Sequence, residues 1–402
     1  MSRPSDASAD RRRALFLTAE APYPLVGGGA LRSASLVEYL GRGYELDVIV
    51  FREPGAADPA AAMPPGLVRA IHVIGLPPHS RHPLSRAARN LRRMLAARPP
   101  LNDRFGGFGD SIAGFLSGRR YHLAVIEHFW CAPYAEQAAR HADRVVLDLH
   151  NIESILLAAC AKTEPWPLSF MLRRFQGACE RLERRWLPRF DLVLTASETD
   201  ADRLRRLFPG SRVDWAPNTI PLAPWPHAEE EEAIVFSGNL EYRPNVSAIR
   251  YFRRQIWPLL WERRPGLRWW IVGRNPQAVQ RYVSDDPRIQ LTGPVDDAVS
   301  ELARAKVVVV PVLAGSGTRV KIIEAWAAAR AVVSTPLGAE GLGAEEGKHL
   351  LLASGPREFA AKVAGLLEDG SARAQLGASA RHYFERNLTW EAAWRRLKEI
   401  GI

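Results

Sequence analysis

GSGTRVKIIEAWAAARAVVSTPLGAEGLG, residues 315–343, is the stretch on which the reading of the chain turns. The run before it, residues 307–313, is mostly valine and is broken by Pro311, the pattern of a doubly buried parallel strand that stops where turn formers begin. Gly315 and Gly317 let the backbone turn sharply and leave bare N–H groups that can receive an anion. Val320, Ile323, Ala327 and Ala328 then recur at helical spacing, which predicts a helix over 318–330 with its N-terminus aimed at the same spot. Lys321 and Glu324 stand one turn apart on one face. A cation with backbone amides suits a diphosphate, and a carboxylate beside them suits a ribose diol. Together they describe a sugar nucleotide. A second strand, 331–334, and a second loop, 336–343, with three glycines, close the other side. A lone Lys–Glu pair reads more simply as a solvated ion pair. Two glycine loops flanking one helix, at strand ends where open α/β sheets bind ligands, favour the ligand.

The stretch resembles the donor-site signature of family 4 of the retaining glycosyltransferases, which have the GT-B fold. That family usually carries two glutamates separated by seven residues; the second aligns with Glu324, and the first falls at Ser316. The departure is similar to an exopolysaccharide-type subgroup with the pattern G-x-G-T-[RK]-x-K-x-x-E-A. There the resemblance implies that Ser316, Gly317 and Thr318 meet sugar hydroxyls through backbone amides, with Arg319 beside them on the donor side. It leaves the sugar open.

A chain of 402 residues accommodates two domains of ordinary size, and 47% apolar with 24% charged residues is a globular composition. No apolar run approaches the roughly 20 residues of a membrane span. The N-terminus puts basic residues before an apolar segment that stops at Thr18, too short for a signal peptide, so residues 1–13 read as a disordered tail. Cys131, Cys160 and Cys179 are scattered, with neither disulfide nor metal-binding spacing, which suits the cytosol. Net charge is +10, and residues 1–218 carry seven of it, 30 Lys+Arg against 23 Asp+Glu. An anionic membrane surface, a phospholipid-linked acceptor and nucleic acid are the partners such a balance attracts.

Residues 14–18 read as a first strand, Gly27, Gly28 and Gly29 as a turn, and the residues after them as an amphipathic helix. The pattern is not G-x-G-x-x-G, and the next strand, 45–51, closes on Arg52, so a dinucleotide cofactor is not expected. The resemblance implies that Gly28 and Gly29 approach the donor phosphate and the acceptor, with Arg32 adding charge; a turn without ligand is the plainer alternative. Residues 53–66 read as loop. Residues 81–99, RHPLSRAARNLRRMLAARP, have apolar residues at helical spacing among six arginines. Two readings stand, a helix lying on anionic lipid and an ordinary surface helix with an apolar underside.

The strand 121–127 ends in Glu127 and His128, and the strand 145–149 exits into Asp148, His150, Asn151 and Glu153. Substrates arrive at such strand ends. The resemblance makes His128, and with less support His150, acceptor-side residues; packing histidines are the alternative. Residues 168–190 read as a basic helix. Residues 191–196 form a strand leading to a helix capped by Ser197, with Asp200 as the acid of a capping box. The strand 213–216 ends in PNTIP, similar to the turn closing the family's first domain. Two prolines and four consecutive acids mark residues 222–232 as a linker. A second α/β set starts at 233, and its loop Gly238 to Asn245 is where the family presents an Arg and a Lys to the diphosphate. Arg243 matches, and Asn239 replaces the other, leaving Lys321 the rest of that work. The strands 269–272 and 289–291 end near Arg274 and Val295, between which the resemblance places the nucleobase.

The chain therefore reads as two Rossmann-like α/β domains facing across a cleft, the GT-B fold: an acceptor domain, 14–221, and a donor domain, 233–388. A closing helix, 389–402, is expected to pack back on the first domain. The expected activity is retaining transfer of a sugar from a nucleoside-diphosphate sugar to a glycan, lipid-linked or small-molecule hydroxyl. Arg243, Lys321 and His128 carry the catalysis, with no cofactor and no metal, because no Asp-x-Asp motif follows a strand where an ion would sit. The resemblance implies a front-face route without a protein nucleophile. A cytoplasmic enzyme is expected, with peripheral contact at the inner membrane face left open. Two alternatives remain: a sugar-nucleotide epimerase or hydrolase, and a non-catalytic GT-B-like or nucleic-acid-binding scaffold. The arginines are dispersed over helices and not interleaved with aromatics on a strand face, which argues against nucleic acid.

Overall fold

The structure, a computed structural model, describes residues 12–80 and 82–402. The tail expected over 1–13 falls on residues 1–11, outside the described residues, and Arg13 already opens the first strand. The chain is α/β, with two parallel sheets. It divides into two compact units that interleave in sequence: one runs to Asn151 and adds Gly177–Thr195 and Ala201–Asp214, the other takes Ile152–Gln176, Ala196–Asp200 and Trp215–Ile402.

The first unit holds β1 (Arg13–Thr18), β2 (Glu45–Arg52), β3 (Ala70–Gly75), β4 (Leu123–Glu127), β5 (Val145–Leu149), β6 (Leu192–Thr195) and β7 (Val213–Trp215), in the order β3-β2-β1-β4-β5-β6-β7. Strand order reverses between β1 and β4, so the crevice in which open sheets bind ligands lies at the carboxyl ends of those two strands. β4 and β5 are buried along their whole length. Each Val, Ile or Leu sealed there contributes about 1.5–3 kcal/mol of hydrophobic stabilisation. β3 has no counterpart in the sequence reading. It is an edge strand, half-buried for most of its length, and lacks the dense apolar run that marks the central strands.

The second unit holds β8 (Glu231–Ser237), β9 (Arg268–Val272), β10 (Ile289–Gly293), β11 (Ala305–Val310), β12 (Ala331–Ser334) and β13 (Leu351–Leu352), in the order β10-β9-β8-β11-β12-β13. Its order reverses between β8 and β11. β11 stops at Val310, three residues short of the expected end, because Pro311 has no N–H to continue the ladder. The helix read over 318–330 is shorter, Val320–Ala327, with Arg319 in extended conformation as its N-cap and Ala329 at φ 53 beyond its end. β8 begins at Glu231, inside the segment read as linker. Glu231 pairs with Arg268 and Arg304, and Glu232 with Arg264 and Lys306, so these acids anchor the start of a central strand.

Residues 152–176 belong to this second unit. Leu156, Cys160, Ala161 and Leu172 form an apolar cluster with Ala314, next to the glycine loop, and Arg250 Nη2 donates to the Thr163 carbonyl at 2.8 Å. The last helix, Trp390–Glu399, is part of the same unit. No helix among the described residues is long and apolar enough to cross a membrane.

Candidate functional site

In the second unit the residues of interest gather at the carboxyl ends of β8 and β11. Gly238 follows β8 at φ 144, and a Cβ on it would stand 2.8 Å from Asn245 Nδ2 and 3.0 Å from Lys321 Nζ. Gly273, at φ 147, lies so close that a Cβ would overlap the Gly238 carbonyl oxygen. Only glycine fits either position, and that lets the Lys321 ammonium reach the strand end. Lys321 Nζ donates to Asn245 Oδ1 at 2.8 Å and sits 3.8 Å above the Phe236 ring. Asn245 in turn donates to the Asn239 carbonyl at 2.7 Å, which fixes its orientation. The helix thus brings an ammonium to the loop that follows β8.

Lys321 and Glu324 are not the solvated ion pair of the plainer reading. Lys321 is 8% exposed and its hydrogen bond goes to a neutral amide. Burial, with repulsion from Arg319, lowers its pKa to about 7, against the pull of Glu324. Burial raises Glu324 to about 7, opposed by Lys321 and reinforced by Asp297. Near neutrality the two groups share a variable number of protons, so an arriving anion or hydroxyl shifts their charge.

The glycine loop is held from three sides. Ser316 Oγ accepts from the Ile152 amide at 3.1 Å, the Asp200 carboxylate accepts from the Gly317 amide at 3.0 Å, and Arg319 Nη1 donates to the carbonyls of Ser316, at 2.8 Å, and Gly317. The amide that the sequence offered to an anion is therefore already on an anion, the chain's own Asp200. Thr318 Oγ1 and Arg319 Nη2 are buried with no hydrogen-bond partner among the described residues. Buried donors are nearly always satisfied, so two in one loop make it a candidate place for a ligand's acceptors. The second loop touches the first: a Cβ on Gly341, at φ 78, would stand 3.1 Å from Thr318 Cγ2. Arg243 heads its helix, exposed and without hydrogen bond or ion pair among the described residues, Arg274 is exposed, and Val295 is half-buried.

In the first unit, Gly27, at φ 91, caps the helix Gly28–Gly43, so Gly28 and Gly29 are its first two residues. A Cβ on Gly29 would stand 2.6 Å from Glu20 Oε2, so this loop also carries a carboxylate of the chain. Arg32, expected to add charge to the loop, is 4% exposed and bonds Asp148 through Nε at 2.7 Å and through Nη2. Its charge is spent beneath the turn. His128 ends β4 at φ 65, with its ring stacked on Trp130 at 4.3 Å and 3.8 Å from the His150 ring. His150 Nε2 shares a hydrogen bond with Glu127 Oε1 at 2.8 Å, while Glu127 Oε2 accepts from Thr18 and Ser33 hydroxyls, each at 2.6 Å.

Burial, with repulsion from His150, holds His128 near 3, and burial holds His150 near 4, so both rings are neutral at physiological pH. Burial raises Glu127 to about 7. His128 Nε2 is buried and has no hydrogen-bond partner among the described residues. Ligand atoms of Glu127, His128 and His150 lie within 4.8 Å of one another, but both Glu127 oxygens are already engaged in hydrogen bonds. The structure thus gathers His128 and His150 in one unit, and Gly238, Ser316, Gly317, Thr318, Arg319 and Lys321 with Glu324 in the other. Asn245, Asp200, Ile152 and Glu20 were missed as partners. Asp200 was legible only as the acid of a capping box: Ser197 does cap the turn, its Oγ accepting from the Asp200 amide at 3.2 Å, while the Asp200 carboxylate accepts from Gly317.

Comparison with known proteins agrees with this architecture. Residues 27–219 match the glycosyl transferase 4-like domain, and residues 231–369 match the glycosyl transferases group 1. An uncharacterised 44.6 kDa protein of the cps region of Klebsiella pneumoniae is 21% identical over 286 residues, which cover 67% of this chain and 71% of that one. Among solved structures, sucrose-phosphate synthase of Thermosynechococcus elongatus superposes with a TM-score of 0.74 at 18% identity, over 97% of this chain and 98% of its own. Alr3699/HepE of Anabaena, in complex with UDP-glucose, gives 0.63 at 13% identity, over 96% and 98%.

Proposed function

We propose, from the premise that the chain belongs to the GT-B glycosyltransferases, that it moves a sugar from a nucleoside-diphosphate donor to a glycan or lipid-linked hydroxyl with retention and without a metal. Lys321 carries this reading. It is a buried ammonium held by a neutral amide and an aromatic face, beside the two unpartnered donors Thr318 Oγ1 and Arg319 Nη2. Such a group is poised for an anion that the protein does not itself supply.

In the reaction the bond between the sugar's anomeric carbon and the β-phosphate oxygen breaks, and a bond to the acceptor oxygen forms on the same face. Charge gathers on the departing diphosphate, where Lys321, Arg319 and Arg243 stabilise it. Glu324 accepts from the ribose hydroxyls. The acceptor's proton leaves for the departing phosphate oxygen, and His128, neutral, accepts a hydrogen bond from the acceptor hydroxyl and orients it. Arg274 and Val295 flank the base, and Gly28 and Gly29 approach the phosphate. His150 fixes the His128 ring by packing against it. The three cysteines, buried and in no disulfide among the described residues, suit a cytoplasmic site of action. A cps-region relative favours polysaccharide assembly as the setting.

The test is transfer from a panel of nucleotide sugars, with product anomers read by NMR and EDTA present throughout. Retained configuration at undiminished rate supports the reading; inversion or loss of activity with EDTA contradicts it. Lys321→Ala and Glu324→Ala should abolish transfer while circular dichroism is unchanged.

A further inference from the structure

The helix Pro83–Leu95 presents its apolar stripe outward. Leu84, Leu91 and Leu95 are 74%, 53% and 71% exposed, although an ordinary surface helix buries that stripe. At 3.6 residues per turn the three leucines fall within about 40° of one another. Arg93, about 180° from Leu84 on the same count, is 8% exposed and bonds Asp103 at 2.7 Å. The helix is therefore held by an arginine edge and shows its leucines to solvent. Arg86, Arg92 and Arg98 are exposed around it, Arg89 reaches the Ser80 carbonyl, and residues 82–99 contain neither Asp nor Glu.

We propose that this face docks the protein on an anionic lipid membrane, with the leucines among acyl chains and the arginines among lipid phosphates. Charge selects the occupant. A second copy meeting the face by two-fold symmetry would set the same arginines against each other with no acid between them. Anionic headgroups neutralise them, and long arginine stems let the guanidinium lie at phosphate level while the leucines sink. The helix, 13 residues long, lies in the interface and does not cross it. The inference stands apart from the transfer reading, because it uses none of the residues assigned to donor or acceptor.

Full-length protein is sedimented with vesicles of phosphatidylglycerol mixed with phosphatidylcholine, and with phosphatidylcholine alone, at low and high salt. Binding to the anionic vesicles is expected, weakened by salt, and absent from the neutral ones. Leu91→Glu with Leu95→Glu should lower the partition coefficient about tenfold or more, and Arg86→Gln with Arg92→Gln should lower it for anionic vesicles several-fold. These side chains are exposed, so melting temperature and nucleotide affinity should not change. Absence of binding to phosphatidylglycerol vesicles, or equal binding by the leucine variant, overturns the proposal. So does a dimer in light scattering that the leucine variant abolishes, which would make a second copy the occupant.

Discussion

Lys321 shows how a single residue can be named from sequence while its setting cannot. The spacing to Glu324 put both on one helix face, but nothing linear joins Lys321 to Asn245, 76 positions earlier, or to the Phe236 ring. That setting has a measurable consequence. With its pKa lowered to about 7, Lys321 is largely neutral at pH 8 in the free protein, and a bound diphosphate favours the ammonium. Nucleoside-diphosphate binding at pH 8 should therefore take up protons, approaching one per site, and affinity should fall as pH rises through the free-enzyme pKa. Calorimetry in buffers of different ionisation enthalpy measures this; no uptake would show Lys321 is already charged. Asn245→Asp would give Lys321 a carboxylate in competition with the ligand, and affinity should drop about tenfold or more without loss of fold. Asp200→Ala would free the Gly317 amide and loosen the loop, raising the donor KM more than it lowers kcat.

Among the elements, the strands with dense apolar runs were legible because burial on both faces leaves no choice of residue. β4, β5 and β12 fall within a residue or two of their expected bounds, whereas β3 and the two-residue β13 carry no such run. Helix ends were less legible, since the loop before this helix is held by bonds from distant residues, Asp200 on the Gly317 amide and the Ile152 amide on Ser316. The acids read as linker went wrong for a related reason: their partners, Arg264, Arg268, Arg304 and Lys306, arrive from up to 74 residues away. The Gly238–Gly273 crossing is where the second sheet is least tolerant. Gly273→Ala must push β9 away from β8 and adopt φ near 147, at a cost of about 2–4 kcal/mol. A melting temperature within a degree of wild type would contradict the close approach.

For the whole molecule, the α/β class and the doubled Rossmann-like pattern were open to sequence reading, because each sheet repeats the same strand, turn and helix alternation. The interleaving of the two units was not. Residues 152–176 read as part of the first domain, yet Ile152 bonds Ser316 and the helix Glu153–Thr163 packs beside Ala314, contacts without a local signature. Both sheets place their candidate residues at the point where strand order reverses, so the site follows from topology as much as from motif. Ligand and fold are then coupled: a nucleoside diphosphate that binds only the native second unit should raise its melting temperature in proportion to the logarithm of ligand concentration.

In the proposed complex Lys321 grips a diphosphate while Glu324 grasps the adjoining ribose. Calorimetric titration of UDP, GDP and ADP into wild type, Lys321→Ala and Glu324→Ala tests it most directly. One nucleotide should bind the wild type and lose about tenfold to a hundredfold in affinity in each variant. Equal affinity in either variant, or no binding of any of the three by the wild type, would contradict it.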